Sequence, residues 1–232
     1  MEQIYSIPIN EAFEASVADP SLGCPLCRLH KMLEDNEIEL ICGASMMEPD
    51  IRKKTNESGF CIDHYRKMFA RSKKLPLALI LQSHLETVAE KMTSPGLIPA
   101  ISGRSATKKL SDVGSSCYVC DRLNANFKAL LSNAVYLWVS DGGFKRKFSL
   151  QPHFCLHHYS QLLAVAKDEL RPKDFSSFYR AVSTMEEKHV RSLKSNIDAF
   201  VTSFDYRSES APDADAKTAI ETAIASLTAD RI

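Results

Sequence analysis

Apolar residues recur along most of the chain at steps of three and four, the spacing that places them on one face of an α-helix. The longest run of this kind extends from Pro172 to Phe204, and shorter runs follow each pair of closely spaced cysteines. Alternation of apolar and polar residues, which is typical of half-buried strands, does not extend over any comparable length. The pattern therefore predicts an all-α fold.

Helix start and stop signals make specific predictions for the two ends of the chain. Residues 4–9 contain a proline and are expected to form an extended arm, after which Asn10 would cap a short helix that ends at Asp19. At the other end, residues 208–232 are rich in Ala, Thr and Asp. We expect residues 215–229 to form a helix that can detach from the rest of the fold.

Six of the seven cysteines belong to two copies of one pattern, in which a CxxC pair is followed by a CxxH pair. The third cysteine of a copy comes 34 residues after the second in the first copy and 35 residues after it in the second. An aromatic flank repeats as well, since Phe60 corresponds to Phe154. The eight residues are Cys24, Cys27, Cys61 and His64 in the first copy and Cys117, Cys120, Cys155 and His158 in the second.

This tandem duplication predicts the domain organisation. Residues 1–92 would hold the N-terminal arm and the first helical repeat, and residues 117–207 would hold the second repeat. Residues 93–116, rich in Ser and Gly, would link the repeats, and residues 208–232 would form the tail helix. We expect each repeat to be pinned by its own Cys3His metal site, and the repeats to be related by approximate two-fold symmetry.

Two cysteines separated by two residues can direct both sulfurs at one metal ion, and a CxxH pair can supply the other two corners of a tetrahedron. We therefore expect two zinc ions per chain. A Cys3His set leaves no coordination position open for water, so the sites are expected to be structural and the protein to be a scaffold or an interaction module. The sequence contains no recognisable arrangement of nucleophile and general base, and no enzymatic activity is predicted.

The same cysteines and histidines suit two other chemistries. Each set could bind an iron–sulfur cluster, which would colour the protein, whereas zinc would not. The CxxC pairs could also be thiol-redox pairs, although such a pair is usually found at the start of a helix in a βαβ setting. A disulfide framework is not favoured, because cytosolic thiols are kept reduced.

The spacing allows the CxxC and CxxH pairs to combine within a repeat or to exchange between repeats. We expect combination within each repeat, with Cys24 and Cys27 sharing a metal with Cys61 and His64. Nearly equal gaps in the two copies favour this, because a loop whose ends must meet is constrained in length. The return to Cys61 requires part of residues 46–60 to be extended.

Alignment of the repeats also ranks the remaining candidates. It sets His157 against Asp63, so His158 is preferred as the ligand. Cys42 has no counterpart in the second repeat and is expected to be a small core residue. The other histidines are expected to be surface or packing residues: His30, His84, His153 and His189.

Charge is balanced over the whole chain, with 29 Lys and Arg against 29 Asp and Glu. This balance does not favour a protein that coats nucleic acid or an anionic membrane. Locally, residues 1–50 carry ten acidic and two basic side chains, whereas residues 51–74 carry eight basic and two acidic ones. Either the two segments neutralise each other, or residues 52–54 and 66–74 form a basic face for an acidic partner or nucleic acid; no recognised nucleic-acid fold supports the latter.

Partners and location are predicted from the same patterns. The apolar stripe that begins after Pro172 is expected to be core, with part of it available as a homo-oligomer seam or for a protein partner. The N-terminus shows no secretory signal, and no apolar stretch has the length of a membrane span. We expect a cytoplasmic protein.

Three segments of the first repeat carry a resemblance to a known family. They are Cys24-Pro-Leu-Cys27, residues 46–50 followed by Arg52, and the segment from Gly59 to His64. With these CPxC and GFCxxH motifs, the chain resembles an uncharacterised family of bacterial proteins that carries a domain of unknown function. The resemblance implies a predominantly helical cytosolic protein and no established activity. The second copy departs from the motifs, with Tyr118 in place of the proline and His153 in place of the glycine.

Overall fold

A computed structural model describes residues 6–71, 73–93, 108, 111–112, 114–205 and 213–229. All regular structure within these residues is helical, as the sequence predicts. The α-helices are α1 Ser6–Ala18, α2 Pro25–Ile41, α3 Pro49–Ser58, α4 Ile62–Ala70, α5 Leu75–Thr93, α6 Tyr118–Ser140, α7 Gly142–Ser149, α8 Leu156–Glu169, α9 Pro172–Thr202, α10 Ala214–Lys217 and α11 Ala219–Thr228. Short 3₁₀ turns occupy Pro20–Leu22 and Ala44–Met47.

The chain divides into two compact units, each of which is described by itself. Unit 1 comprises Met1–Lys31 and Phe127–Ile232, and unit 2 comprises Met32–Asn126. These limits fall inside α2 and α6 and differ from those of the predicted repeats. Most of the predicted linker, residues 93–116, lies outside the described residues. The approximate two-fold symmetry stays a prediction.

Unit 1 is built around a cluster of phenylalanine rings. The ring of Phe13 in α1 lies 5.0 Å from that of Phe144 and 5.6 Å from that of Phe148, both in α7. Gln151 Nε2 donates a hydrogen bond to the main-chain oxygen of Phe13. Such ring pairs add to the free energy gained by burying apolar surface. Other buried members of this core are Phe154, Phe178, Trp138, Leu162 and Val182.

Unit 2 has a smaller core formed by α3, α4, α5 and the adjoining parts of α2 and α6. Arg52 in α3 joins α3 to α5, because its guanidinium donates to the main-chain oxygen of Leu79 and to Ser83 Oγ. The buried apolar residues of this core are Ile38, Ile41, Phe60, Met68, Leu77, Ile80, Cys117, Tyr118 and Val119.

The predicted N-terminal arm is wrong over the described residues, because α1 already begins at Ser6. Proline is tolerated in the first turn of a helix, where its missing N–H would have no partner in the helix, and Pro8 lies there. Asn10 lies inside α1 and donates from Nδ2 to the main-chain oxygen of Ser6. Burial of Ile9 and Phe13 holds this helix against the rest of unit 1.

The predicted tail helix is divided into α10 and α11. Asp213 caps α10 by accepting a hydrogen bond from the amide of Ala216. Burial of Ala216 and Ala219 packs this segment against the rest of unit 1, where α11 contacts α8 and α9. In this structure the tail is therefore docked. No helix among the described residues has the length and apolar character needed to cross a membrane.

Candidate metal centres

The eight predicted ligands form two groups, and each group lies within one compact unit. The ligand atoms of each group all lie within 4.8 Å of one another, so each group could hold a metal ion. The Cys24 group, in unit 1, consists of Cys24, Cys27, Cys155 and His158, and the Cys61 group, in unit 2, consists of Cys61, His64, Cys117 and Cys120.

The predicted pairing within each repeat is therefore wrong. Cys24 and Cys27 lie beside Cys155 and His158 of the second copy, and the CxxH pair of the first copy lies beside the CxxC pair of the second. The CxxC and CxxH pairs have exchanged between the copies, which was the alternative left open by the spacing.

Helix lengths explain why the pairs exchange. At 1.5 Å per residue, α2 carries the chain about 25 Å from the first CxxC pair, and α6 carries it about 35 Å from the second. Return within a repeat would require an extended segment over residues 46–60, but the 3₁₀ turn and α3 occupy most of them. In the second copy, α7 shortens the corresponding segment in the same way. The connecting segments therefore lack the reach that the predicted pairing needs.

Each pair of ligands is found at the N-terminal end of a helix. Cys61 and Cys155 are the N-cap residues of α4 and α8, and the histidine three residues later is in the first turn. Neither thiol caps its helix through a side-chain hydrogen bond, so the sulfurs are directed elsewhere. The CxxC pairs open α2 and α6 in the same position. Positive potential at helix N-termini favours the thiolate form that binds metals.

The four ligand atoms of the Cys24 group lie close together. His158 Nδ1 lies 3.2 Å from Cys155 Sγ, 3.3 Å from Cys27 Sγ and 4.0 Å from Cys24 Sγ. The sulfurs of Cys27 and Cys155 are 3.5 Å apart, far beyond a disulfide bond. Cys24, Cys155 and His158 are buried, and Cys27 is half-buried.

The Cys61 group has nearly the same dimensions. His64 Nδ1 lies 3.1 Å from Cys61 Sγ, 3.2 Å from Cys117 Sγ and 3.5 Å from Cys120 Sγ. The sulfurs of Cys61 and Cys120 are 3.9 Å apart. His64 and Cys117 are buried, whereas Cys61 and Cys120 are half-buried.

These distances match the edges of a tetrahedron around one metal ion. Zinc bonds of about 2.3 Å to sulfur and about 2.0 Å to nitrogen place two sulfurs about 3.8 Å apart and a sulfur and a nitrogen about 3.5 Å apart. The distances given above for both groups scatter around these two values, from 3.1 to 4.0 Å. The donor atoms are thus already arranged for a single ion.

Protonation of the thiols also points to a cation. Burial raises the pKa of the Cys24 thiol, and hydrogen bonds with Cys155 and Cys27 raise it further. Hydrogen bonds from Cys24 and then from Cys27 lower the pKa of Cys155. In the other group, burial and a hydrogen bond with Cys117 raise the pKa of Cys120 to about 12. Without a metal, each cluster therefore keeps protons that a bound cation would displace.

A carboxylate holds the histidine of the Cys61 group. Burial lowers the pKa of His64, although Glu34 opposes the shift, so the imidazole is neutral at neutral pH and can bind a metal. In the tautomer that leaves Nδ1 available, Nε2–H donates to Glu34 Oε1 over 3.1 Å. Lys67 Nζ in turn donates to both oxygens of Glu34 at 2.5 Å. This chain of contacts fixes the orientation of the ring.

Aromatic rings surround the histidine of the Cys24 group. The ring centroid of His158 lies 4.9 Å from that of Phe127 and 5.6 Å from that of His30. The tail also reaches this group, because Cys27 Sγ lies 3.6 Å from the main-chain oxygen of Ala229. Packing against the rings of Phe127 and His30 therefore orients the imidazole of His158.

The glycine of the GFCxxH motif has a structural reason. Gly59 adopts φ of 62°, a conformation that favours glycine, and a Cβ there would lie 2.9 Å from the ring of His84. His84 Nδ1 is 2.8 Å from the main-chain oxygen of Asn56, so the ring packs into the turn that precedes Cys61. The main-chain oxygen of Gly59 accepts a hydrogen bond from the amide of Tyr118. A proline in place of Tyr118, as in the CPxC motif, would have no N–H to donate.

A buried carboxylate supports the segment that precedes Cys155. Glu186 in α9 accepts a hydrogen bond from the amide of Phe154 at 2.5 Å. Burial raises the pKa of Glu186 to about 7. Two residues before Cys155, His153 stacks on His189 with 3.9 Å between ring centroids. These contacts position the segment before Cys155, as the contact between Gly59 and His84 positions the turn before Cys61.

The structure also decides between neighbouring candidates. His158 belongs to the Cys24 group, whereas His157 is exposed and lies outside it, with its ring centroid 5.3 Å from that of His158. Cys42 belongs to neither group and packs, half-buried, against the core of unit 2. Sequence reasoning missed Glu34 and Glu186, because nothing in the sequence distinguishes either from the surface carboxylates around it.

A protein-family model matches almost the whole chain. The model of a family of unknown function, DUF6062, matches residues 1–231 of the chain. Comparison with the curated proteins gives no match, and neither does comparison with the solved structures.

Proposed function

We propose that this chain, which belongs to the family of unknown function DUF6062, binds two zinc ions that are structural and that it acts as a scaffold or interaction module. The observation that carries the proposal is the tetrahedral spacing of three sulfurs and one imidazole nitrogen in both groups. Three thiolates and one neutral imidazole are a ligand set that zinc prefers.

A structural role is favoured because protein atoms fill all four positions of each predicted tetrahedron. A catalytic zinc keeps a position for water or substrate, and neither group offers one. Three thiolates leave each loaded site with one negative charge, which makes the ion a poor Lewis acid. The metals would therefore stabilise the fold rather than carry out a reaction.

Each ion would also cross-link segments that are distant in sequence. The Cys24 group joins residues 24–27 to residues 155–158, and the Cys61 group joins residues 61–64 to residues 117–120. Structural zinc contributes on the order of 10 to 16 kcal/mol of apparent binding free energy in small domains. Such ties would hold each unit in one conformation and so present a constant surface to a partner.

Zinc is favoured over an iron–sulfur cluster by the compactness of each group. A cluster distributes its protein ligands over two or more iron atoms, whereas all four ligand atoms of each group lie within 4.8 Å of one another. All seven cysteines are free thiols, which supports a reducing compartment such as the cytoplasm.

Elemental analysis of protein purified without added metal tests the proposal. We expect two zinc ions per chain and no absorption of visible light. Iron accompanied by visible absorption would replace zinc by the cluster alternative. Reduced protein that is folded and free of metal would contradict both, leaving the thiols as redox pairs.

A further inference from the structure

The solvent side of α4 carries apolar and basic side chains next to each other. Ile62 and Phe69 are 60% and 65% exposed, and their spacing of seven residues places them on one side of the helix. Arg66 lies between them. Lys74 follows the helix, with Nζ 4.1 Å from the centroid of the Phe69 ring. We call the surface formed by Ile62, Arg66, Phe69 and Lys74 the α4 face, and we include Lys73, which is exposed and directly precedes Lys74 in the sequence.

Arg66 and Lys73 supply the basic charge of the α4 face that is available to a partner, since Lys74 Nζ already donates to main-chain oxygens. Lys67, which belongs to the same helix, is held by Glu34, but this pair lies beside the Cys61 group and not on the α4 face. Arg66 pairs with Asp63, and both side chains are more than 70% exposed, so the pair contributes less than about 1 kcal/mol. Lys73 forms no ion pair within the part of the chain that the structure describes.

The Cys61 group holds α4 in place. A helix of nine residues is not stable alone in water. Cys61 is the N-cap residue of α4, and His64 lies in the first turn. A metal bound by both residues would therefore anchor the helix at its N-terminal end. The opposite side of α4 is buried through His64 and Met68. The α4 face is therefore presented by the proposed structural site.

We propose that the α4 face docks an acidic amphipathic helix of a protein partner, an inference that rests on the proposed scaffold function. Carboxylates of the partner would meet Arg66 and Lys73, and its apolar side chains would cover Ile62 and Phe69. Both requirements are met by one helix with an apolar stripe flanked by acidic residues, a common mode of peptide recognition. The charge complementarity selects an acidic partner over a neutral one.

Other anionic partners fit this surface less well. A helix that lies on a membrane buries a long apolar face, whereas α4 exposes two large apolar side chains over nine residues. A nucleic acid would stack bases on Phe69, but Lys74 already covers one face of that ring, and Ile62 would gain nothing.

Fluorescence anisotropy with the full chain tests this proposal. The probe is a labelled helical peptide of about 20 residues, with Leu and Phe at i, i+3, i+4 and i+7 and Glu on both flanks. We expect saturable binding that Phe69→Ala and Lys73→Glu each weaken at least about tenfold. Leu85→Ala and Lys54→Glu are matched controls on α5 and α3, both exposed, and should change the affinity less than about twofold.

Metal content measured on each sample separates the two proposals. A chain that carries two zinc ions but does not bind the peptide overturns the docking proposal alone, and so does equal weakening by the controls. Phe69-dependent binding of phosphatidylcholine–phosphatidylglycerol vesicles or of oligouridylate, with no binding of the peptide, also overturns it. A folded chain without metal overturns the zinc proposal whatever the peptide does.

Discussion

The Cys24 group and the Cys61 group have the same four ligand types and differ in what surrounds them. His64 is hydrogen-bonded to the carboxylate of Glu34, whereas His158 packs against the rings of Phe127 and His30. A carboxylate does lie near the Cys24 group, but Glu186 binds the amide of Phe154 rather than an imidazole. The same ligand set is thus supported in one unit through a side chain and in the other through the backbone.

The two groups also differ in how far their thiols are exposed to solvent. One thiol of the Cys24 group is half-buried, against two in the Cys61 group. The Cys24 group also closes a longer stretch of chain, since its ligands span residues 24–158 against residues 61–120. Two groups with the same four residue types therefore differ in exposure, and the Cys61 group is the more open of the two.

Removal of both metals should have the largest effect. Chelation of reduced protein at neutral pH is expected to cost on the order of 10 kcal/mol, which is comparable to the whole stability of an ordinary domain. We expect loss of helical circular dichroism and of cooperative thermal unfolding, with both restored by added zinc. Zinc should leave the more open Cys61 group first. An unchanged melting curve after complete chelation would show that the sites do not stabilise the fold.

Loss of one ligand should have the next largest effect, and Cys61 and Cys42 form a matched pair in unit 2. Cys61→Ser removes a ligand and is expected to lower the free energy of unfolding by about 3 kcal/mol or more. Cys42→Ser replaces a half-buried thiol of the core by a hydroxyl and should cost about 1 kcal/mol. Denaturant unfolding of the two variants measures this. Equal losses would mean either that Cys61 is not a ligand or that Cys42 is more than a small core residue.

Glu34→Gln tests whether the carboxylate distinguishes the two sites. The variant should weaken zinc binding at the Cys61 group by about 10- to 100-fold and leave the Cys24 group unchanged. Glu37→Gln is the control, because Glu37 is buried on the same helix but pairs with Arg122. Competition with a chromophoric chelator resolves the two affinities. If Glu34→Gln weakened zinc binding equally at both groups, or if Glu37→Gln weakened it as much, Glu34 would not distinguish the two sites.

Glu186 predicts a smaller, pH-dependent effect near the Cys24 group. Burial raises the pKa of its carboxyl from an ordinary value near 4.5 to about 7, so the neutral form is favoured in the folded state. Its contribution to stability is therefore present at low pH and is lost as the pH rises through 7. Between pH 6 and 8, the wild type should lose about 1 kcal/mol relative to Glu186→Gln, which cannot ionise.

Thermal melts across that range check the effect, with Glu187→Gln as the control, because Glu187 is exposed and pairs with Arg191. The control should follow the wild type at every pH. A stability difference between Glu186→Gln and wild type that stays constant from pH 6 to 8 would mean that the Glu186 carboxyl does not titrate in this range and would contradict the prediction.

Local sequence was sufficient to find the members of both groups, because a CxxC or CxxH spacing brings two donor atoms together at the start of one helix. It was also sufficient for the helical class and for the long helix that begins at Pro172. Combination of the pairs depends instead on how far the connecting helices carry the chain. Residues 46–60 were expected to be partly extended, and their helical structure reversed the predicted pairing.

The neighbours of the ligands could not be found from sequence for a different reason. Glu34 stands in an acidic helix where Asp35, Glu37 and Glu39 look equivalent. Only the packing of α4 against α2 selects Glu34 to meet His64. The sequence shows Gly59 as part of a motif. Why a glycine is needed there is seen only in the folded structure, where the ring of His84 from a later helix leaves no room for a side chain.

Anomalous diffraction at the zinc absorption edge, from crystals of protein purified without added metal, tests the central account most directly. We predict two peaks per chain. One should lie about 2.3 Å from the sulfurs of Cys24, Cys27 and Cys155 and about 2.0 Å from His158 Nδ1, and the other should have the same distances within the Cys61 group. A peak shared by Cys24 and Cys61, or the absence of zinc from folded protein, would contradict it.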